Sequence, residues 1–236
     1  RVGIAGCGAI GGHAASELTY WGVGHLKIAD FDVFETSNAN RQLFAAFSTV
    51  GKAKVEVVAS NLRDIEPGIG LKVFPQGITF DNAKEFVTGC DAIIDSIDYE
   101  KPQCSIALHR VAREVGIPIF LSQCVGYGAS VFVFYPESES YEEYLGLDPL
   151  APIESIDFSQ IDLLNLCPIV LDYIEKVILE KVIAGEMEAP TVIAGQTFAV
   201  GLTVSNLIMQ IINPTRPRLR MCAFDPFKGE YKEERY

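Results

Sequence analysis

The stretch Val2–Asp30, VGIAGCGAIGGHAASELTYWGVGHLKIAD, decides the fold class of this chain. It begins with a short apolar run, Val2–Ala5, which ends in a glycine-rich turn, and Ala14–Tyr20 continues as a predicted helix. A second apolar run, Leu26–Ala29, ends at Asp30. A strand, a turn, a helix and a strand in this order are typical of the first unit of a doubly wound sheet.

The alternation of strands and helices continues as far as Phe134. Apolar residues recur at helical spacing within Ala53–Arg63, which predicts a helix there. Further strands are predicted at Leu71–Phe74, Ala92–Ile97, Pro118–Ser122 and Ala129–Phe134, and further helices at Asn82–Val87 and Pro102–Val115. We therefore predict an α/β fold with a Rossmann-like, doubly wound, mostly parallel sheet and helices on both faces.

An acidic segment interrupts this alternation after Pro136. Residues 137–162 include eight Asp and Glu residues and no Lys or Arg. We set the bounds of the acidic segment at residues 137–168. Two interpretations stay open for it: a solvated surface insertion, or a crossover loop that shapes a substrate channel.

Regular structure is predicted again in the last third of the chain. Val170–Ala184 has helical spacing, and a long helix is expected near Gly195–Ile212. Leu219–Phe224 and a turn near Lys228-Gly229 predict antiparallel C-terminal strands that form a closing hairpin. We expect residues 1–236 to form a single domain.

The apolar stretch Thr191–Ile212 is about long enough to span a bilayer. Gln196, Asn206 and Gln210 interrupt it, and the last two lie one helical turn apart. We interpret this stretch as a helix covered by other elements and expect no membrane span.

Charge and cysteine content exclude several classes of protein. The net charge is −12 and the isoelectric point about 4.7, whereas a general nucleic-acid binder needs a basic face that displaces counterions. The six cysteines form no C-x-x-C pair, so neither a zinc site nor a redox pair is expected. Scattered single cysteines are typical of a reducing compartment, so we expect a cytoplasmic protein.

Because the chain begins inside a predicted strand, we also expect further sequence upstream of Arg1.

The turn Gly6-Cys7-Gly8-Ala9-Ile10-Gly11 has the pattern G-x-G-x-x-G between a strand and a helix. Its glycines let the backbone approach a phosphate closely, and the helix N-terminus offers free N–H groups. Asp30 follows about twenty residues later, where a carboxylate can accept hydrogen bonds from ribose hydroxyls. These features predict a nucleotide site, and by themselves they favour an NAD or FAD domain.

The polar segment Asp30–Gln42, DFDVFETSNANRQ, changes that interpretation. It follows the sheet edge directly, and its Arg41 can reach back over the turn. Lys52 and Lys54 then stand at the start of a helix, where their charge opposes the helix dipole unless a polyphosphate binds nearby. Asp98 ends the stretch D-S-I-D after a buried strand, and a carboxylate that faces a triphosphate is a suitable Mg²⁺ ligand.

The glycine turn, D-x-D, S-N-x-N-R-Q, G-K-x-K and D-S-I-D occur in the order and spacing of one family. The chain resembles the ThiF/MoeB adenylyltransferases and the adenylation domains of ubiquitin-activating enzymes, from Val2 to about Phe134 and less clearly through the last long helix. The resemblance implies a homodimer that uses ATP and Mg²⁺ to adenylylate a carboxylate, with the C-terminus of a ubiquitin-like or sulfur-carrier protein as the expected substrate. The stretch before Pro102 also resembles the bacterial tRNA threonylcarbamoyladenosine dehydratase, so a carboxylate on a modified tRNA is an alternative substrate.

The resemblance also implies which residues form the nucleotide site. The expected cofactor-binding residues are Gly6, Gly8, Gly11, Asp30, Asn38, Arg41, Gln42 and Lys54. Among them, Asp30 matches the ribose-binding acid, and Arg41 and Lys54 match the phosphate-binding cations. Asp98 matches the magnesium aspartate, so Arg41, Lys54 and Asp98 are the expected catalytic residues.

The chain departs from the family pattern in two respects. Family members often supply an additional Arg from an N-terminal helix, which would lie upstream of Arg1. Many bacterial relatives carry two C-x-x-C zinc pairs, which this sequence lacks, so no zinc is expected.

Some members of the family pass the acyl group to a cysteine. Cys167, which precedes the helix-compatible Pro168, is the best candidate for that thiol, against the alternative of a buried cysteine without a chemical role.

Two other functions stay open at this point. An NAD-dependent oxidoreductase would explain the glycine turn and Asp30 but would leave Arg41, Lys54 and Asp98 without a role. A non-catalytic scaffold, an activating-enzyme half that pairs with an active partner, would not need the phosphate-binding residues that this chain retains.

Overall fold

The computed structural model describes residues 1–98, 101–158, 161, 166–184, 186–187 and 189–236. The strands within these ranges are β1 (Val2–Ala5), β2 (His25–Ala29), β3 (Gly70–Phe74), β4 (Ala92–Asp95), β5 (Ile119–Val125), β6 (Gly128–Phe134), β7 (Leu219–Asp225) and β8 (Glu230–Arg235). The helices are α1 (Ala9–Tyr20), α2 (Lys54–Ile65), α3 (Ala83–Val87), α4 (Pro102–Val115), α5 (Tyr141–Tyr144), α6 (Lys176–Ile183) and α7 (Ile193–Ile212).

The described strands form one sheet in the order β3-β2-β1-β4-β5-β6-β7-β8. Strands β1 to β5 pair in parallel, and β1 lies between β2 and β4, with Val2 opposite Leu26 on one side and Ala92 on the other. Since the strand order reverses at β1, a crevice opens at the carboxyl ends of β1 and β4, which is where doubly wound sheets bind ligands.

The second half of the sheet is antiparallel. Val125 pairs with Gly128 at the hairpin between β5 and β6, and β7 and β8 continue the antiparallel pattern to the edge. The predicted fold class, a mostly parallel α/β sheet with antiparallel C-terminal strands, is therefore confirmed.

The core has two layers because both faces of the sheet are covered. Helices α1, α2 and α7 pack on one face, and α3 and α4 pack on the other. The alternation along β6 shows the division: Val131 and Val133 face the first layer, whereas Phe132 and Phe134 face the second.

The described part of the acidic segment packs against the second face. Tyr141, Leu145 and Leu166 are buried with Phe132 and Phe134. Two of its acidic residues pair with cations elsewhere in the chain: Glu142 accepts from Arg110 Nε at 2.7 Å on α4, and Glu139 pairs with Arg220 at 3.2 Å on β7. These ion pairs attach the segment to α4 and β7. Asp162, one of its eight acidic residues, lies outside the described residues.

The prediction of a helix over Val170–Ala184 is wrong in its first part, since α6 begins only at Lys176. Tertiary contacts hold the preceding residues in turns: Leu171 is buried, and the Tyr173 hydroxyl donates to Asp225 Oδ2 at 2.7 Å and accepts from Tyr127 N. The expected helix start at Pro168 is wrong for the same reason, because no helix begins there among the described residues.

Helix α7 packs on α1, β5, β6 and β7 through one of its faces. By length and composition it could also cross a membrane, and 44% of its most apolar window is buried. The absence of a membrane span therefore stays a prediction.

Candidate nucleotide site

A cavity of about 550 Å³ lies at the carboxyl ends of β1, β2, β4 and β5. It includes the position between β1 and β4 where the strand order reverses. Of the residues expected from the sequence, it is lined by Gly6, Gly8, Asp30, Arg41, Gln42, Lys54, Asp98 and Cys167. The fold therefore brings most of the predicted site together.

The glycine turn has the conformation that a phosphate site needs. Gly6 has φ +95°, and a Cβ there would lie 2.5 Å from the backbone oxygen of Ser96. A Cβ on Gly11 would lie 1.9 Å from Gly6 O, so Gly11 lets α1 pack on the turn rather than lining the cavity. No side chain caps the start of α1, and Ala9 and Ile10 line the cavity. The N–H groups of this turn are thus suited to an anion.

Asp30 lies at the floor of the cavity with both carboxylate oxygens in use. Oδ2 accepts from Cys7 N at 2.6 Å, and Oδ1 accepts from Asp32 N at 2.7 Å. Burial raises the pKa of Asp30, although these N–H groups and the charge of Lys54 act in the opposite direction. A carboxylate oxygen has two acceptor sites, so each oxygen can still accept from a ribose hydroxyl.

The polar segment is folded by its own side chains. A 3₁₀ turn spans Thr36–Asn40, and Asn38 Oδ1 accepts from Glu35 N at 3.0 Å. Arg41 Nη1 donates to Ser37 O at 3.1 Å and to Asn40 Oδ1 at 3.0 Å. Asn38 does not line the cavity, so its contact with a nucleotide stays a prediction, and its visible role is to shape the turn that carries Arg41.

Gln42 differs from its neighbours because its side chain is buried and lines the cavity. Within the described part of the chain, its Oε1 has no hydrogen-bond partner. A buried acceptor without a donor costs about 1–3 kcal/mol, so a ligand with a hydrogen-bond donor fits this position.

Lys54 is the first residue of α2 and is buried beside the cavity. Its Nζ lies 3.1 Å from Asp32 Oδ2. A lysine at a helix N-terminus is unfavourable, and the Asp32 carboxylate offsets that effect here. From the sequence, only a bound polyphosphate was expected to do so. Lys52 is exposed and lies outside the cavity lining.

Asp98 is exposed at the edge of the cavity, close to Ser96 and Lys101. Lys101 N donates to Asp98 O at 2.9 Å, and Lys101 Nζ lies 5.9 Å from the centre of the Phe31 ring. The described residues include no group of three or more His, Cys, Asp or Glu that could hold a metal ion.

Away from the glycine turn, the described lining of the cavity has no charged side chain, and we call this part the neutral half. Its lining residues include Gln123, Cys124, Leu166, Cys167, Leu179 and Gln196. The Lys and Arg residues of the described lining are Arg41, Lys54 and Lys101, and all three lie beside the glycine turn or β4. Gln196 is buried, and its Oε1 has no partner among the described residues.

The cavity contains two further thiols besides Cys167. Burial raises the pKa of Cys124 to about 12 and also raises the pKa of Cys104, which disfavours the reactive thiolate of both. Cys167 is half-buried and lines the neutral half, although the helix expected after it is absent. Its role as an acyl acceptor stays a prediction.

Three residues of the cavity lining were not predicted from the sequence. They are Asp32, which pairs with Lys54, Lys101, which lies close to Asp98, and Gln196 in the neutral half. Asp32 could have been found, since it lies within D-x-D and its negative charge suits a nearby lysine. Gln196 carried no such signal, because a single Gln in an apolar helix indicates only a polar contact of unknown partner.

Comparison with known proteins gives a consistent result. Residues 1–235 match the model of the ThiF family. The chain is 34% identical over 117 residues to the tRNA threonylcarbamoyladenosine dehydratase of Escherichia coli K12, covering 49% of this chain and 43% of that protein. It is 30% identical over 139 residues to the sulfur carrier protein ThiS adenylyltransferase of the same organism, covering 59% of this chain and 55% of that protein.

A solved structure has a similar fold over nearly all of the chain. The E. coli MccB structure with ATP superposes with a TM-score of 0.72 at 20% identity, covering 99% of this chain and 63% of that one. The chain spans about half the length of the two curated relatives. Because the family model covers almost every residue, the chain belongs to the ThiF family.

Proposed function

We propose that this chain adenylylates a carboxylate with ATP. The observation that supports it most is the composition of one cavity. The glycine turn, the buried carboxylate of Asp30 and the cations Arg41 and Lys54 line one end, as an ATP site requires, and the neutral half continues from it. An NAD-dependent oxidoreductase would explain the turn and Asp30, but it has no triphosphate for Arg41 and Lys54 to meet.

The reaction needs positioning and charge neutralisation more than proton transfer. A carboxylate oxygen attacks the α-phosphorus of ATP, the bond from that phosphorus to the bridging oxygen breaks, and pyrophosphate leaves. No general base is required because a carboxylate is already ionised at pH 7. Arg41 and Lys54 would stabilise the negative charge that develops on the phosphates.

Asp98 would hold Mg²⁺ together with phosphate oxygens. Since the described residues provide no cluster that binds a metal alone, the ion would enter with the nucleotide. When bound, it would neutralise charge on the departing pyrophosphate.

The neutral half supports the C-terminus of a protein or peptide as the carboxylate. Its described lining has no Lys or Arg that would meet RNA phosphates, and the net charge of −12 disfavours a polyanion. A ubiquitin-like or sulfur-carrier protein has the required chemistry, and one relative is named for adenylylating the carrier ThiS. A carboxylate on modified tRNA is the second candidate, because the relative at 34% identity is named for tRNA modification.

ATP–pyrophosphate exchange with the full-length protein tests this function. We expect exchange with a carrier protein or peptide that has a free C-terminal carboxylate, and none when the same C-terminus is amidated. Exchange supported only by threonylcarbamoyladenosine-containing tRNA would favour the second candidate. Tighter binding of NAD⁺ than of Mg·ATP would contradict both.

The homodimer, the cytoplasmic location and the single-domain organisation over residues 1–236 stay predictions. So does the transfer of the acyl group to Cys167.

A further inference from the structure

A buried carboxylate, Asp95, ends β4 directly before the loop that includes Asp98. Its side chain is fully buried. Oδ1 accepts from Ile97 N at 3.0 Å, whereas Oδ2 accepts from Ser105 Oγ and lies 3.1 Å from His109 Nε2. A carboxylate removed from water requires such partners, so Asp95 joins the loop after β4 to α4.

The loop that Asp95 holds belongs to the cavity, although Asp95 does not line it. Ser96, Ile97 and Asp98 all line the cavity. On the side of β1, Ser96 Oγ donates to Ala5 O at 2.9 Å, and Ser96 N donates to the same oxygen at 2.9 Å. The path of the chain into Asp98 is therefore fixed by β1 through Ser96 and by α4 through Asp95.

The other end of these contacts meets the acidic segment. The His109 ring stacks on the Tyr141 ring of α5, with centroids 4.3 Å apart. Beside this pair, Arg110 binds Glu142, and Arg113 Nη1 donates to Ser138 O at 2.7 Å. The acidic segment thus packs against α4, and within it Tyr141 contacts the His109 side chain that lies against Asp95.

We propose that Asp95 is a positioning residue for Asp98: with Ser105 and His109 it fixes the loop so that the Asp98 carboxylate meets Mg·ATP. This inference rests on the proposed function, because it takes Asp98 as the group that holds the metal. It explains why the stretch D-S-I-D has two acids, of which only the second reaches the cavity.

A double-mutant cycle on binding tests it without depending on the acceptor. The variants are Asp95→Asn, Asp98→Ala and their combination, and calorimetry measures the affinity for Mg·ATP and for metal-free AMP. The Asn amide can still accept from Ile97 N but presents its NH₂ to the Ser105 and His109 side. Loss of a residue that orients a metal ligand costs about tenfold or more in affinity. We expect Asp95→Asn to weaken Mg·ATP by about that factor and to leave AMP unchanged.

In the Asp98→Ala background we expect Asp95→Asn to cost nothing further, because its effect acts through Asp98. Additive losses, or an equal loss for AMP and Mg·ATP, would mean that Asp95 only supports the fold. If Asp98→Ala alone leaves the preference for Mg·ATP intact, the failure lies in the proposed role of Asp98, and the role of Asp95 falls with it.

Two further variants cover the case in which Asp95→Asn does not fold. Ser105→Ala removes one partner of Asp95 while the carboxylate remains, and we expect the same selective loss of Mg·ATP affinity. Glu142→Gln is the control, since it disturbs the contact of the acidic segment with α4 at Arg110 without touching Asp95. It should lower the melting temperature and leave the ratio of the two affinities unchanged, and a changed ratio would contradict the proposal.

Discussion

Asp30 combines burial with hydrogen bonds from two backbone N–H groups. Burial raises its pKa, and ribose hydroxyls would donate to the ionised form. Binding therefore favours the carboxylate, so the affinity for a nucleoside should fall as the pH drops through the raised pKa of Asp30.

Calorimetric titration with adenosine between neutral and acidic pH measures this effect. The matched control is 2′,3′-dideoxyadenosine, which has the same base and lacks both hydroxyls. We expect pH dependence for adenosine alone below neutrality. The same dependence for both nucleosides would show that Asp30 does not meet the ribose.

We expect Gln196 to contact the acceptor, because it is buried and lines the neutral half. Its buried Oε1 without a described partner needs a donor, such as the main-chain N–H of a peptide. We expect Gln196→Met to raise KM for the carboxylate about tenfold and to leave KM for ATP unchanged. Gln210→Met on the same helix is the control because Gln210 contacts Tyr135 outside the cavity. An equal change in KM for the carboxylate in both variants would show that Gln196 does not contact the acceptor.

At the scale of elements, the glycine turn joins β1, α1 and the loop after β4. Gly6→Ala would place a Cβ 2.5 Å from Ser96 O at φ +95°, whereas Gly22→Ala has a similar φ of +81° and open space. We expect Gly22→Ala to lower the free energy of unfolding by about 1–2 kcal/mol and Gly6→Ala by about 1–3 kcal/mol more. Urea unfolding measures the free energy of unfolding of both variants. An equal decrease in the two would mean that Gly6 is not in close contact with the loop after β4.

Most elements could be predicted because their apolar spacing is local. Helix α4 matches its prediction at both ends, Pro102 and Val115, since a proline begins it and Gly116 ends it with φ +85°. The segment before α6 could not be predicted, because its conformation depends on Tyr173 reaching Asp225, fifty-two residues away. Strand β4 ends at Asp95 instead of Ile97 for a similar reason, as the Asp95 carboxylate binds Ile97 N and turns the chain.

In the molecule as a whole, the residues around the glycine turn meet as the sequence predicts, whereas the neutral half was not predicted. The residues around the glycine turn lie in motifs whose order is fixed by the strand order, so the sheet brings them together. The neutral half is assembled from β5, α6, α7 and the end of the acidic segment. No spacing in the sequence indicates that these distant segments meet, so the neutral half could not be predicted.

We expect Arg41 and Lys54 to act on the phosphates of ATP during adenylylation. The decisive measurement is ATP–pyrophosphate exchange by Lys54→Ala and Lys52→Ala. The two lysines are two residues apart, and of the two only Lys54 lines the cavity. We expect Lys54→Ala to lower exchange by about a hundred- to thousandfold, as Arg41→Ala and Asp98→Ala should, and Lys52→Ala to remain near wild type. Near-wild-type exchange in Lys54→Ala, or an equal loss in Lys52→Ala, would show that Lys54 does not act on the phosphates.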